Sequence, residues 1–168
     1  MEAVLRQDGL ETSDSTLAAT EAQALDARSQ FRSAQGFLEG EPLLMLARRL
    51  PWLGSQVEAA TELAGIGYEG SEIGLAGIEV LSTFNGVRTE GEGTLGERTV
   101  AFLDSARPQM SAVQERLASV KERRGALDGR LLPPLAGLVA EVDAHLPYLE
   151  DWLEKYRSGD AMAAEFLG

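Results

Sequence analysis

Apolar side chains recur every three or four positions through almost the whole chain, and this period limits what it can fold into more than any other feature. In one segment Leu103, Ala106, Met110, Val113, Leu117 and Val120 step 3, 4, 3, 4, 3. Nearer the end Leu135, Leu138, Val142, Leu146, Leu149, Leu153 and Tyr156 step 3, 4, 4, 3, 4, 3. In the first segment Leu10, Leu17, Ala24, Ala27, Phe31, Ala34 and Leu38 share one register, with Ser13 and Thr20 as its polar interruptions. Such spacing puts one apolar stripe along one side of a helix. No stretch alternates polar and apolar residues long enough for a strand; residues 99–102 come nearest by residue type, and the helical stripe that follows absorbs them. Rods with one oily side must lie against one another, so the expected fold is all-α. It is an elongated antiparallel bundle of about four long helices with short capping helices, filling 1–168 as a single domain.

Proline and glycine divide the rods. Gly40 and Pro42, then Pro51, mark two breaks; Asn85-Gly86 closes an apolar stretch, and residues 86–96 read as a polar loop. Gly125 and Gly129 bracket another break, and Pro133-Pro134 opens the last segment. Ser55 with Glu58, and Thr94 with Glu97, fit capping boxes in which each pair satisfies two otherwise orphaned N–H groups. Arg48 and Arg49 before Pro51, and Lys121, Arg123 and Arg124 before Gly125, suit helix C-termini. These signals predict helices over roughly 2–39, 42–50, 55–84, 95–124 and 132–157, with a short turn near 160–166. Pro108 and Pro147 fall inside predicted helices, where each kinks the rod or marks a first turn.

The segment 55–84 is unusual. One stripe is Leu63, Ile66, Gly70, Ile73, Gly77, Val80 and Phe84; a parallel one is Val57, Ala60, Ala64, Gly67, Ser71, Gly74, Ile78 and Leu81. Gly65, Gly67, Gly70, Gly74 and Gly77 each cost roughly 0.8–1 kcal/mol relative to Ala inside a helix, so packing rather than propensity must hold it. Three readings stand: a neighbouring helix approaches closely over the glycines, the helix is kinkable and moves or docks a partner, or the helix is broken. Trp52, between Pro51 and Leu53, is either a plug at the bundle end or a partner-binding anchor. The candidate docking residues are therefore Trp52, Gly54, Gly70, Gly74 and Gly77.

Chemistry finds little to work with. The chain has no cysteine, which removes disulfides, thiolate metal sites and thiol nucleophiles. His145 is the single histidine; with Glu141 it shares a helical face, but no second His or Cys completes a transition-metal set. It has no serine elbow beside it either. The pairs Glu69 and Glu72, and Glu90 and Glu92, and the group Glu150, Asp151 and Glu154, lie on polar faces or in a loop, as solvated carboxylates do. No phosphate-binding glycine loop follows a strand. The reading is of no catalytic residue, no cofactor and no metal. Fifteen basic residues against 27 acidic ones give a formal charge of -12, the wrong sign for a compact nucleic-acid binder. No apolar run approaches the ~20 residues that cross a bilayer. The partner expected is another protein, or a second copy of the chain.

The run Leu50-Pro-Trp-Leu-Gly-Ser-Gln-Val57, followed by a Gly/Ala-rich helix, resembles a segment of a poorly characterised bacterial family with a P-x-L-G turn between helices. Arg107-Pro-Gln-Met110, Leu131-Leu-Pro-Pro-Leu135 and the closing Phe166-Leu-Gly168 are similar to later patterns of that family. Its members start with a membrane helix, continue with a helical region and then carry a globular domain. The resemblance covers nearly all of the chain and implies the helical region alone: a non-catalytic stalk or protein-interaction module outside the bacterial membrane. It carries over no site residue. A second resemblance rests on Trp52-Leu-Gly54, a W-x-G between helical segments, and on Tyr156-Arg-Ser-Gly-Asp160, a Y-x-x-x-D after the last long helix. Together they look like helical-hairpin substrates of type VII secretion, which implies a secreted partner protein.

Overall fold

A computed structural model describes the backbone of residues 2–90, 94–127, 129 and 131–167, and the side chains of 15–87, 94, 96–127, 129 and 131–159. Five helices follow one another: α1 (Glu2–Gly40), α2 (Pro42–Ala47), α3 (Pro51–Glu90), α4 (Leu95–Gly125) and α5 (Pro133–Leu167). No strand occurs among the described residues. The protein is an all-α bundle. Leu10, Ser13, the side chains of Glu90 and Glu92, Asp160 and Phe166-Leu-Gly168 lie outside the described side chains.

Antiparallel pairing follows from the contacts. Phe31 of α1 lies on Gly67 of α3, and Arg28 pairs with Glu72. Arg123 of α4 pairs with Glu62 of α3 at 2.9 Å, and Arg116 with Glu69 at 2.8 Å. Farther along, Gln109 donates to Glu79 at 3.0 Å and the Phe84 and Phe102 rings meet edge-on at 5.3 Å. Between α4 and α5, Arg124 holds Asp143 through two bonds of 2.6 and 2.7 Å, Lys121 pairs with Glu150, and the Tyr156 hydroxyl donates to the Leu103 carbonyl at 3.2 Å. Neighbours along the chain are thus neighbours in space, as short connections require.

The core lies between α3, α4 and α5. The whole α4 stripe is buried, from Leu103 at 9% exposure to Ala106 and Val113 at 1%. Opposite it α3 contributes Ala59, Leu63, Ile66, Ile73 and Val80, and α5 contributes Val139 and Leu153. On α5 the core takes Val139 in place of the expected Leu138, which is 48% exposed. The two are adjacent apolar residues, and only Val139 keeps an even 4, 3, 4, 3, 4, 3 step from Leu135 to Tyr156. Helix α1 stands apart. It packs along α3 without reaching α4 or α5, and no described residue of it is buried. Glu72 ties it in: one carboxylate meets Arg28 of α1 and, at 2.7 Å, Arg116 of α4.

Several boundaries move. Helix α2 ends at Ala47, not 50, and α3 begins at Pro51, four residues before the expected start. Proline at a first helical position loses no hydrogen bond, so Pro51 starts a helix where it was expected only to end one. Ser55 is consequently no cap. It lies inside α3 and its hydroxyl donates to the Trp52 carbonyl at 2.8 Å. Helix α3 also runs through Asn85-Gly86 to Glu90, because extending an established helix costs only about 1 kcal/mol even at glycine. Helix α5 continues from Pro133 to Leu167 where a stop near 157 and a separate turn were expected, and α4 and α5 run through Pro108 and Pro147. The Thr94 and Glu97 capping box is present: the Thr94 N–H donates to the Glu97 carboxylate at 2.8 Å, and the Thr94 hydroxyl oxygen accepts from the Glu97 N–H at 3.4 Å.

Candidate functional site

The turn that joins α1 to α3 through α2 exposes several large apolar side chains. Helix α2 spans Pro-Leu-Leu-Met-Leu-Ala, with no polar side to turn to water. None of its residues is buried: Leu43 is 75% exposed, Met45 59% and Leu46 60%. Leu50, Trp52 and Leu53, in the turn and at the start of α3, are exposed as well. A helix this short is marginal alone, so its shape depends on the turn that follows. There the Gly54 N–H donates to the Leu50 carbonyl at 2.7 Å, and the Arg48 carbonyl lies where a Cβ on residue 54 would be, 2.6 Å from it. Only glycine permits that approach. Arg48 reaches back to the Leu38 carbonyl (3.4 Å) and the Thr61 hydroxyl (3.3 Å), fastening the turn to α1 and α3.

Next to Trp52 and Leu53 is a groove of about 320 Å³, lined by Leu38, Trp52, Leu53, Val57, Ala60, Leu132 and their neighbours. Its one polar side chain is Gln56, 7% exposed, whose carbonyl oxygen accepts the Leu132 N–H at 2.8 Å. That bond satisfies a buried group and joins the start of α3 to the turn before α5. The groove therefore holds no titratable or nucleophilic group. It can take up apolar surface and nothing else. A wider cleft of about 650 Å³ lies between α4 and α5, open and edged by the Lys121–Glu150 pair, Glu154 and Arg157.

Trp52 is no plug: it is 59% exposed and forms one wall of the groove. Gly54 is buried beneath the turn, placed to shape it rather than to touch a partner. Gly70, Gly74 and Gly77 are not brought to this turn. Gly70 and Gly74 are exposed, and a Cβ on any of the three would meet nothing within 4 Å, so no helix passes closely over them. Close approach occurs instead at Gly65, under the Arg123 guanidinium, and at Gly67, under Phe31. His145 is exposed, its Nδ1 2.9 Å from the Glu141 carbonyl, and among the described residues no group of His, Asp and Glu could hold a metal.

Leu43, Met45, Leu46 and Leu50 were not among the residues expected from sequence. The signal was present: a short helix apolar all round has no side that belongs in water. Among the described residues two carboxyls are held below their ordinary range, and neither lines the groove. Backbone and side-chain hydrogen bonds from Thr94 lower Glu97, and the hydrogen bond from Arg124 lowers Asp143. Both serve helix ends and helix pairing. Among the described residues no helix is long and apolar enough to cross a membrane. No protein-family model, curated protein or solved structure matches the chain.

Proposed function

We propose that this chain is a non-catalytic helical interaction module that works outside a bacterial membrane and docks a protein through its apolar turn. The observation that carries this is the exposure of Leu43, Met45, Leu46, Leu50, Trp52 and Leu53, the last two of which also wall a groove whose lining has no ionisable group. Six large apolar side chains left exposed within eleven residues, on a chain with a net charge of -12, mark a contact site, since acidic residues elsewhere supply solubility. The extracytoplasmic setting comes from the resemblance of residues 50–57 to the P-x-L-G family. The test is protease treatment of intact host cells followed by detection with an antibody to the chain. Loss of signal from intact cells supports the setting. Protection until the cells are lysed rejects it.

A second reading has its own observation. Trp52-Leu-Gly54 lies where the antiparallel pair α1 and α3 turns back, which is where a W-x-G belongs in a helical-hairpin secretion substrate. Export from the native host should then fail for Trp52→Ala and for Tyr156→Ala. Unchanged export of both variants removes this reading.

A further inference from the structure

We propose that α1 is a releasable strap: it lifts off α3 as a unit while α3, α4 and α5 stay packed, and the strip of α3 that it uncovers binds a helix patterned like α1. The strap works whether or not the apolar turn docks a partner.

Helix α3 buries two rows of side chains. Ala59, Leu63, Ile66, Ile73 and Val80 belong to the core with α4 and α5. Val57, Ala64 and Ser71 are buried outside that core. They are seven residues apart and so lie on one side of the helix. It is the side where Phe31 covers Gly67, Arg32 donates to the Tyr68 hydroxyl at 3.0 Å and Arg28 pairs with Glu72. The strip is a seat for one helix, with small residues at its middle where a neighbour packs close. Helix α1 fills the seat without burying a described residue of its own, and its backbone lies beside α3 and α2 alone.

Release strands no charge. When Arg28 leaves, Glu72 keeps Arg116 at 2.7 Å, and Arg116 keeps Glu69 at 2.8 Å. An ion left unpaired beside the core is the cost that would otherwise hold such a helix down. Near the joint the bond to break is the long one, 3.4 Å from Arg48 to the Leu38 carbonyl, and Arg48 retains the Thr61 hydroxyl. Glu41, extended at φ -77° and ψ 120°, stands between α1 and α2 and is the hinge. A helix held by few buried side chains opens locally, at less free energy than global unfolding requires. The seat also defines its visitor. It takes a helix with an aromatic ring for Gly67, an arginine three residues before the ring for Glu72 and another one residue after it for Tyr68.

Native-state amide exchange of the full chain, read by mass spectrometry, tests release. Residues 15–40 should exchange at least about 100-fold faster than residues 103–120. Phe31→Ala should speed 15–40 a further ~10-fold and leave 103–120 unchanged; Met110→Ala, in the core, should do the reverse. Arg28→Ala repeats the first comparison without touching the seat. A fluorescein-labelled synthetic peptide of residues 15–40 tests the seat by anisotropy. It should bind the Phe31→Ala chain about 10-fold more tightly than the wild-type chain, whose own strap competes. The same peptide carrying Phe31→Ala should bind neither chain.

Equal exchange in α1 and α4, or an equal response of both to either substitution, overturns the proposal. So does exchange in α1 that ignores both Phe31→Ala and Arg28→Ala, since α1 is then not seated. A peptide that binds neither chain, or both alike, also overturns it.

Discussion

Gly67→Ala should destabilise the protein although it improves the helix. A methyl at residue 67 would stand 2.3 Å from Cε1 of Phe31 and 2.5 Å from Cδ1 and Cζ. The ring must retreat by more than about 1 Å to reach ordinary contact. Phe31 is 36% exposed, so roughly 130 Å² of its ~200 Å² is covered, worth about 3 kcal/mol at ~25 cal/mol/Å². Replacing glycine returns about 0.8–1 kcal/mol of helix propensity. If the ring swings out, the net loss is about 2 kcal/mol; if it keeps half its contact, about 0.5–1. Gly74→Ala is the control, since a Cβ there meets nothing within 4 Å and the propensity gain stands alone. The assay is urea unfolding of both variants with amide exchange across α1. Exchange should quicken around Phe31 in Gly67→Ala only, and Phe31→Leu should recover part of the loss in the Gly67→Ala background. Equal stabilisation by the two alanines would refute the packing assigned to α1.

The remaining expectations are shorter. Met110→Ala, at a side chain 2% exposed between three helices, should cost about 2–4 kcal/mol in urea unfolding. Tyr148→Ala, at 76% exposure, should change stability by less than about 0.5 kcal/mol. Thr94→Ala should cost about 1 kcal/mol by removing the cap of α4, read as faster amide exchange in its first turn. Asp143→Asn should destabilise at neutral pH. Arg124 lowers the folded-state value of Asp143 below its ordinary 3.8, so its stabilisation is complete above that value and lost as pH falls through the folded one. The gap between wild type and Asp143→Asn in thermal unfolding should therefore narrow below pH 3.8; a constant gap would reject the pairing.

The α4 stripe was legible residue for residue, because Leu103 to Val120 is apolar on one side only and leaves the core no choice. Choice is what hid the rest. On α5 both Leu138 and Val139 fit a helical period, and only the packing of the assembled bundle selects Val139. Pro51 carries a break signal that equally suits a helix start, and Asn85-Gly86 carries a turn signal that a 40-residue helix, held by α1, α4 and α5, overrides. The glycines of α3 are alike in sequence and differ only in what stands opposite: Phe31, Arg123 or water. Trp52 and Gly54 were visible as an exception, but their division of labour, one forming a wall and the other admitting a carbonyl, needs the turn geometry. The leucines of α2 were read as a capping element because Gly40, Pro42 and Pro51 set them off as a short helix; that none of them is buried among the described residues is a tertiary fact.

The open glycine track of α3 has a consequence for stability. At Gly70, Gly74 and Gly77 an added Cβ would meet nothing within 4 Å, so each glycine forgoes about 0.8–1 kcal/mol of helix propensity without making room for a described neighbour. Because α3 contacts every other helix, that deficit falls on the element that holds the bundle together.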